Sequence, residues 1–270
     1  MLTFKQQNYS SYQPAINAIL KSDITGIVVE NSINKEILDI LKNSLTSLKQ
    51  QFFTDLNDNN GFSLPGMFGQ LHKTQPFVQV DSYFQNIKPF CAAVDIAAGF
   101  CVQDWVRQQL TVFFNPFRVA ELPGFLPYSF RVVFPNRGGL FMHQDGKLLP
   151  FIHDIVSQKI ELLIKAETMM SWYFTLQAPE SGGELWVADS QYESYEKHGQ
   201  FNMKSPRGKI LSEDDLYHIK VKTTSGSFLM FKGGTYWHKV MPPNPTSVNR
   251  ITLGGFMALG IDNETIYYWS

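Results

Sequence analysis

Cysteine is scarce, the two signs of charge nearly cancel, and no long apolar run occurs. Each shortage removes a class of protein. The only cysteines, Cys91 and Cys101, lie among apolar neighbours and read as small core residues with free thiols rather than as a disulfide framework. A formal charge of -1 with a pI near 6.6 gives no basic field for nucleic acid, and the charged residues form no blocks. No window approaches the roughly 18 apolar residues of a membrane span. The first residues hold no apolar h-region, so a cytoplasmic protein is expected. Repeats and low-complexity tracts are also missing. What remains is a chain of 270 residues, long enough for one large domain with a buried core, whose partners should be small molecules. Nothing in it fixes an oligomeric state.

The pattern changes near residue 127. Before it, residues 25–30 read as a buried strand, and Asn34 as the cap of a helix carrying Ile37, Leu38, Leu41, Leu45 and Leu48 at helical spacing. Residues 57–69 are rich in turn formers, which suits a surface loop or a lid over a pocket. Helical periodicity returns over 80–114, where Ala92, Ala93, Ile96, Ala97, Phe100, Trp105, Leu110 and Val112 form an apolar stripe. After 127, short strands turn every eight to twelve residues or so. Segments 128–134 and 140–144 flank the turn 135–139 as a hairpin. Further strands fall at 171–177, 184–188, 216–222 and 227–231, and after the prolines at 242, 243 and 245 the sheet resumes at 250–259. The expected architecture is mainly β with helical support: a double-stranded β-helix, or jelly-roll barrel, over 127–270, with 1–126 supplying the helices and an N-terminal strand.

Chemistry concentrates in Phe141-Met142-His143-Gln144-Asp145-Gly146. In an extended segment, residues two apart share a face, so His143 and Asp145 can grip one metal ion. Downstream, His238 supplies a second imidazole. Two histidines and a carboxylate make the facial triad that leaves positions open on non-haem Fe(II). Twelve residues after His238 come Arg250 and Thr252 on one strand face, a fork suited to a carboxylate. Arg131 lies among Phe130, Val132 and Val133; facing inward it needs an anion, an acidic co-substrate or substrate, and facing outward it is merely solvated. Arg118 and Lys147 are weaker candidates of that kind. Adjacent His153 and Asp154 point apart on a strand or a helix and chelate poorly. His198 and His218 lack partners at ligand spacing. Alternation over 171–177 puts Ser171, Tyr173 and Thr175 on one face and Trp172, Phe174 and Leu176 on the other.

The order His143, Asp145, His238, Arg250, Thr252 resembles the Fe(II)- and 2-oxoglutarate-dependent dioxygenases. Two stretches, 171–187 and 228–270, are similar to the free-standing alkaloid halogenases of cyanobacterial indole biosynthesis. The resemblance implies a single oxygenase domain that uses Fe(II), 2-oxoglutarate and O2. It also implies that His143, Asp145 and His238 ligate the metal, that Arg250 and Thr252 bind the co-substrate, and that Ser171 points toward the iron, steering the oxygen or the substrate. The bland alternative for Ser171 is a small residue filling a tapering barrel. Those halogenases carry glycine where this chain has Asp145, and the missing carboxylate makes room for chloride. A hydroxylase acting on an unactivated C–H bond of a free natural product or modified amino acid is therefore expected. Desaturation, cyclisation and halogenation remain open, as do a cupin-type non-redox metalloprotein and a metal- or 2-oxoglutarate-binding sensor.

Overall fold

The computed structural model describes residues 4–7, 12–52, 54–56, 61–64, 76–137, 140–148, 163–188, 193–197, 200–204, 210–211 and 216–270. In its first half the elements are β1 (Phe4–Gln7), α1 (Gln13–Leu20), β2 (Gly26–Val29), α2 (Lys35–Phe52), β3 (Thr54–Leu56), β4 (Gly61–Leu64), α3 (Pro76–Ala98), α4 (Val102–Phe114) and β5 (Arg118–Glu121). The second half runs β6 (Ser129–Val133), β7 (Leu140–His143), β8 (Met170–Gln177), β9 (Leu185–Ala188), β10 (Glu193–Lys197), β11 (Gln200–Lys204), β12 (Ile210–Leu211), β13 (His218–Val221), β14 (Phe228–Phe231), β15 (Trp237–Val240), β16 (Arg250–Leu259) and β17 (Thr265–Trp269).

A ten-stranded sheet orders β1-β2-β14-β8-β16-β6-β4-β3, with β17 on β16 and β5 on β17, and a four-stranded sheet orders β13-β9-β15-β7. β14 explains why its sequence is apolar throughout: Phe228 and Met230 face the helical core, while Leu229 and Phe231 face Leu185, Val187 and Val240 of the smaller sheet. A strand covered on both faces needs no polar alternation. The helices close the outer face of the large sheet, with Phe113 of α4 stacked on Phe228 at 4.2 Å. Two sheets with helices on one flank are the expected jelly roll. Among the described residues, no helix is long and apolar enough to cross a membrane.

Helix α2 begins as the sequence suggests: the backbone N–H of Ile37 donates to Asn34 Oδ1 at 2.9 Å, satisfying one orphan donor of the first turn. Four expectations change. The 128–144 hairpin does not form, because both edges of β6 are already paired, to β16 and to β4, and β7 crosses to the other sheet to pair with β15. The stripe over 92–112 is out of phase. Gly99, at φ +76, ends α3, so Phe90, Val94 and Ala98 turn inward while Ile96 is 83% exposed; α4 restarts the count, leaving Val112 63% exposed. Within 57–69, residues 61–64 are a strand paired to β6, and the rest lies outside the described residues. Finally, Cys101 is exposed rather than core, while Cys91 is half-buried, and both are free.

Candidate metal centre

The metal site forms where the smaller sheet meets the large one. β7 and β15 run antiparallel with His143 directly opposite His238, so the imidazoles share a face, their ring centroids 4.2 Å apart. Asp145 does not lie on the strand as the i, i+2 argument supposes. It opens a 3-10 turn, Asp145–Leu148, whose curl swings the carboxylate back over the strand end. Its Oδ1 lies 3.4 Å from His143 Nε2 and its Oδ2 3.3 Å from His238 Nε2. One ligand atom from each residue falls within 4.8 Å of the other two.

Hydrogen bonds prepare two of these ligands. The Tyr236 carbonyl accepts from His238 Nδ1 at 3.0 Å, which puts the proton on Nδ1 and leaves the Nε2 lone pair for a metal. The Ser171 hydroxyl donates to Asp145 Oδ2. Burial alone would raise the Asp145 carboxyl, but His238 and His143 beside it hold it well below the usual carboxylate range. A carboxylate with two imidazole nitrogens is an N/O donor set that fits Fe(II).

A second group of polar residues comes from the large sheet. Along β16, Arg250, Thr252 and Gly254 stand opposite Val133, Arg131 and Ser129 of β6. Gly254 and Phe256 stand opposite Tyr173 and Ser171 of β8. One face therefore carries a polar path from Arg250 down to Ser171, which touches Asp145, and these residues line a single pocket with His238. Arg250 is 3% exposed and its guanidinium lies over the Tyr173 ring at 4.8 Å. Among the described residues its buried Nη2 finds no hydrogen-bond partner, an arrangement that a bound carboxylate would satisfy. Thr252, also buried, adds a hydroxyl. Arg131 faces the pocket, half-buried. Its pKa is lowered to about 10 by burial, which outweighs the nearby Asp145, and by Arg250.

His143, Asp145, His238, Arg250, Thr252, Arg131 and Ser171 thus lie in or beside one cavity. Arg118 does not: it pairs with Asp262 and Thr265 at the surface. His218 stacks on Trp186, away from the triad. Residues 153, 154 and 198 lie outside the described residues. Sequence reasoning missed Tyr173 as the platform beneath Arg250, although the alternation of β8 placed it on the inward face. It also missed Gly233, whose carbonyl accepts from the Asp145 N–H at 2.9 Å.

The family model described as carrier-protein-independent halogenase WelO5 matches residues 1–270. Among solved structures, an N-substituted L-amino acid dioxygenase from Burkholderia ambifaria AMMD, in complex with alpha-ketoglutarate, has a TM-score of 0.57 at 14% identity, covering 94% of this chain and 90% of that one. The non-heme alpha-ketoglutarate-dependent epimerase SnoN from nogalamycin biosynthesis has a TM-score of 0.50 at 9% identity, with 91% and 85% covered. At such identities the likeness is one of fold. No curated protein matches the chain.

Proposed function

The chain belongs to the carrier-protein-independent halogenase family, and from that premise we propose that it is an Fe(II)- and 2-oxoglutarate-dependent oxygenase that hydroxylates an unactivated C–H bond of a free small molecule. Asp145 carries the choice of hydroxylation. The carboxylate stands in the triad, within reach of both imidazoles, and would serve as a metal ligand where a halide would otherwise need room.

Iron, when bound with 2-oxoglutarate and O2, would supply the oxidising power for attack on a C–H bond, at the expense of 2-oxoglutarate becoming succinate and carbon dioxide. The protein binds and positions. His143, Asp145 and His238 would hold the metal. Arg250 and Thr252 receive the distal carboxylate of 2-oxoglutarate, and Tyr173 fixes the plane of the guanidinium. Arg131 adds a second cation to the same pocket, favouring a co-substrate of two negative charges. A natural product or modified amino acid is the proposed substrate class. Support for a free small molecule comes from the family description, carrier-protein-independent.

The test is an anaerobic titration of the apoprotein with Fe(II) and then 2-oxoglutarate, followed by the visible charge-transfer band of the chelate. The band should require both additions. In Arg250→Ala the 2-oxoglutarate affinity should fall by roughly 10–100-fold, as expected for loss of a buried charge-assisted pair. Tight Fe(II) binding without any band would mean that the fork serves another anion and that the metal has a non-redox role.

A further inference from the structure

Resting on the metal-centre reading above, we propose that Gly233, in the turn after β14, is a positioning residue whose missing side chain gives the Ser171 hydroxyl and the Asp145 carboxylate room to meet. It touches no metal, and it acts through the carboxylate.

Three observations carry this. A Cβ at Gly233 would stand 1.9 Å from Ser171 Oγ, 2.5 Å from Asp145 Oδ2 and 2.9 Å from Ser171 Cβ, all far inside van der Waals contact. Gly233 is not a left-handed glycine, so backbone freedom does not account for the choice; the space does. Its carbonyl also accepts the Asp145 N–H, so the same residue grips the backbone of the ligand and clears the space for its side chain. The neighbouring contacts are as close: a Cβ on Gly146 would lie 2.3 Å from the Gly234 carbonyl oxygen, and one on Gly234 would lie 2.7 Å from Met169 Cβ. The two turns therefore lie backbone on backbone. Asp145 Oδ2 is bound by Ser171, and Oδ1 is the oxygen left without a hydroxyl donor. A methyl at 233 must push the serine or the carboxylate aside, and either movement disturbs the carboxylate that sets Oδ1 beside His143 and Oδ2 beside His238.

The experiment is Fe(II) titration of metal-free wild type, Gly233→Ala, Ser171→Ala and the double variant, with thermal melts of each apoprotein and the visible spectrum of each Co(II) form as readouts independent of activity. Gly233→Ala should bind Fe(II) at least about tenfold more weakly, the scale on which supporting contacts tune metal affinity, with an altered Co(II) spectrum. Adding Ser171→Ala removes the closest contact and should recover part of the loss. It should not recover all, because Oδ2 still meets the methyl, so the double variant should bind more weakly than Ser171→Ala alone. That last comparison stands even if Gly233→Ala alone does not fold. Fe(II) affinity and a Co(II) spectrum unchanged in Gly233→Ala, or a double variant equal to Ser171→Ala, would overturn the proposal. Wild type that takes up no Fe(II) would overturn the metal-centre reading and the proposal together, and that outcome is visible in wild type alone.

Discussion

At the scale of single residues, the proposed choice of hydroxylation over halogenation rests on one carboxylate. Asp145→Gly removes the only acidic ligand of the triad and leaves a vacancy beside the Ser171 hydroxyl. The variant should admit chloride, read as a chloride-dependent change in the visible spectrum of the Fe(II)–2-oxoglutarate complex and as chlorinated product once a substrate is found. Neither signal at high chloride would sink the analogy with the halogenases. That His143, Asp145, His238, Arg250 and Thr252 come together was legible because metal and carboxylate recognition demand particular donors at short spacings. Gly233 and Tyr173 were not, since a close approach and a ring beneath a guanidinium depend on which strands become neighbours. Away from the centre, burial with help from Asp95 and Glu121 pushes the Cys91 thiol from the ordinary 9.0 up to about 12. Between those values the unfolded chain has released the proton and the folded chain has not, so this group's contribution to stability is present below pH 9 and lost as pH rises toward 12. The buried Tyr128 and Tyr268 phenols, also raised, act in the same direction. The melting temperature should therefore fall above pH 9, and Cys91→Ala should make the early part of that fall shallower; an unchanged slope would remove Cys91 as a cause.

At the scale of elements, local signals held where local chemistry decides and failed where an edge or a phase had to be shared. The Asn34 cap is local. Asn34→Ala should cost about 1 kcal/mol, measured as a lowered midpoint of denaturant unfolding, whereas Ile96→Lys on the exposed face of α3 should leave it unchanged. The link from β6 to β7 shows the opposite case. Turn formers at 135–139 suggest a hairpin, but whether β6 has a free edge depends on β4 and β16, drawn from residues far away in sequence. Likewise Ile96 and Val112 fit a helical stripe only if one helix runs through Gly99.

At the scale of the whole molecule, barrel and site are one arrangement. The imidazoles of His143 and His238 come from the four-stranded sheet, and Ser171, Arg131, Arg250 and Thr252 come from the ten-stranded one. Fe(II) and 2-oxoglutarate together should raise the melting temperature more than the sum of their separate effects, by roughly 5 °C or more at a hundredfold excess over Kd; additive shifts would mean that the two do not share a site. The jelly-roll class was legible from the cadence of short strands, but the face-to-face stacking that makes β14 apolar on both sides was not. The seam between the sheets is also a caliper. A dicarboxylate anchored on one layer by its chelating end and on the other by its tail is gauged for length by the spacing of the layers. Selection against shorter or longer 2-oxo diacids would then rest on apolar packing between the sheets, where Leu185 and Phe231 line the pocket and Leu229 and Val187 back them.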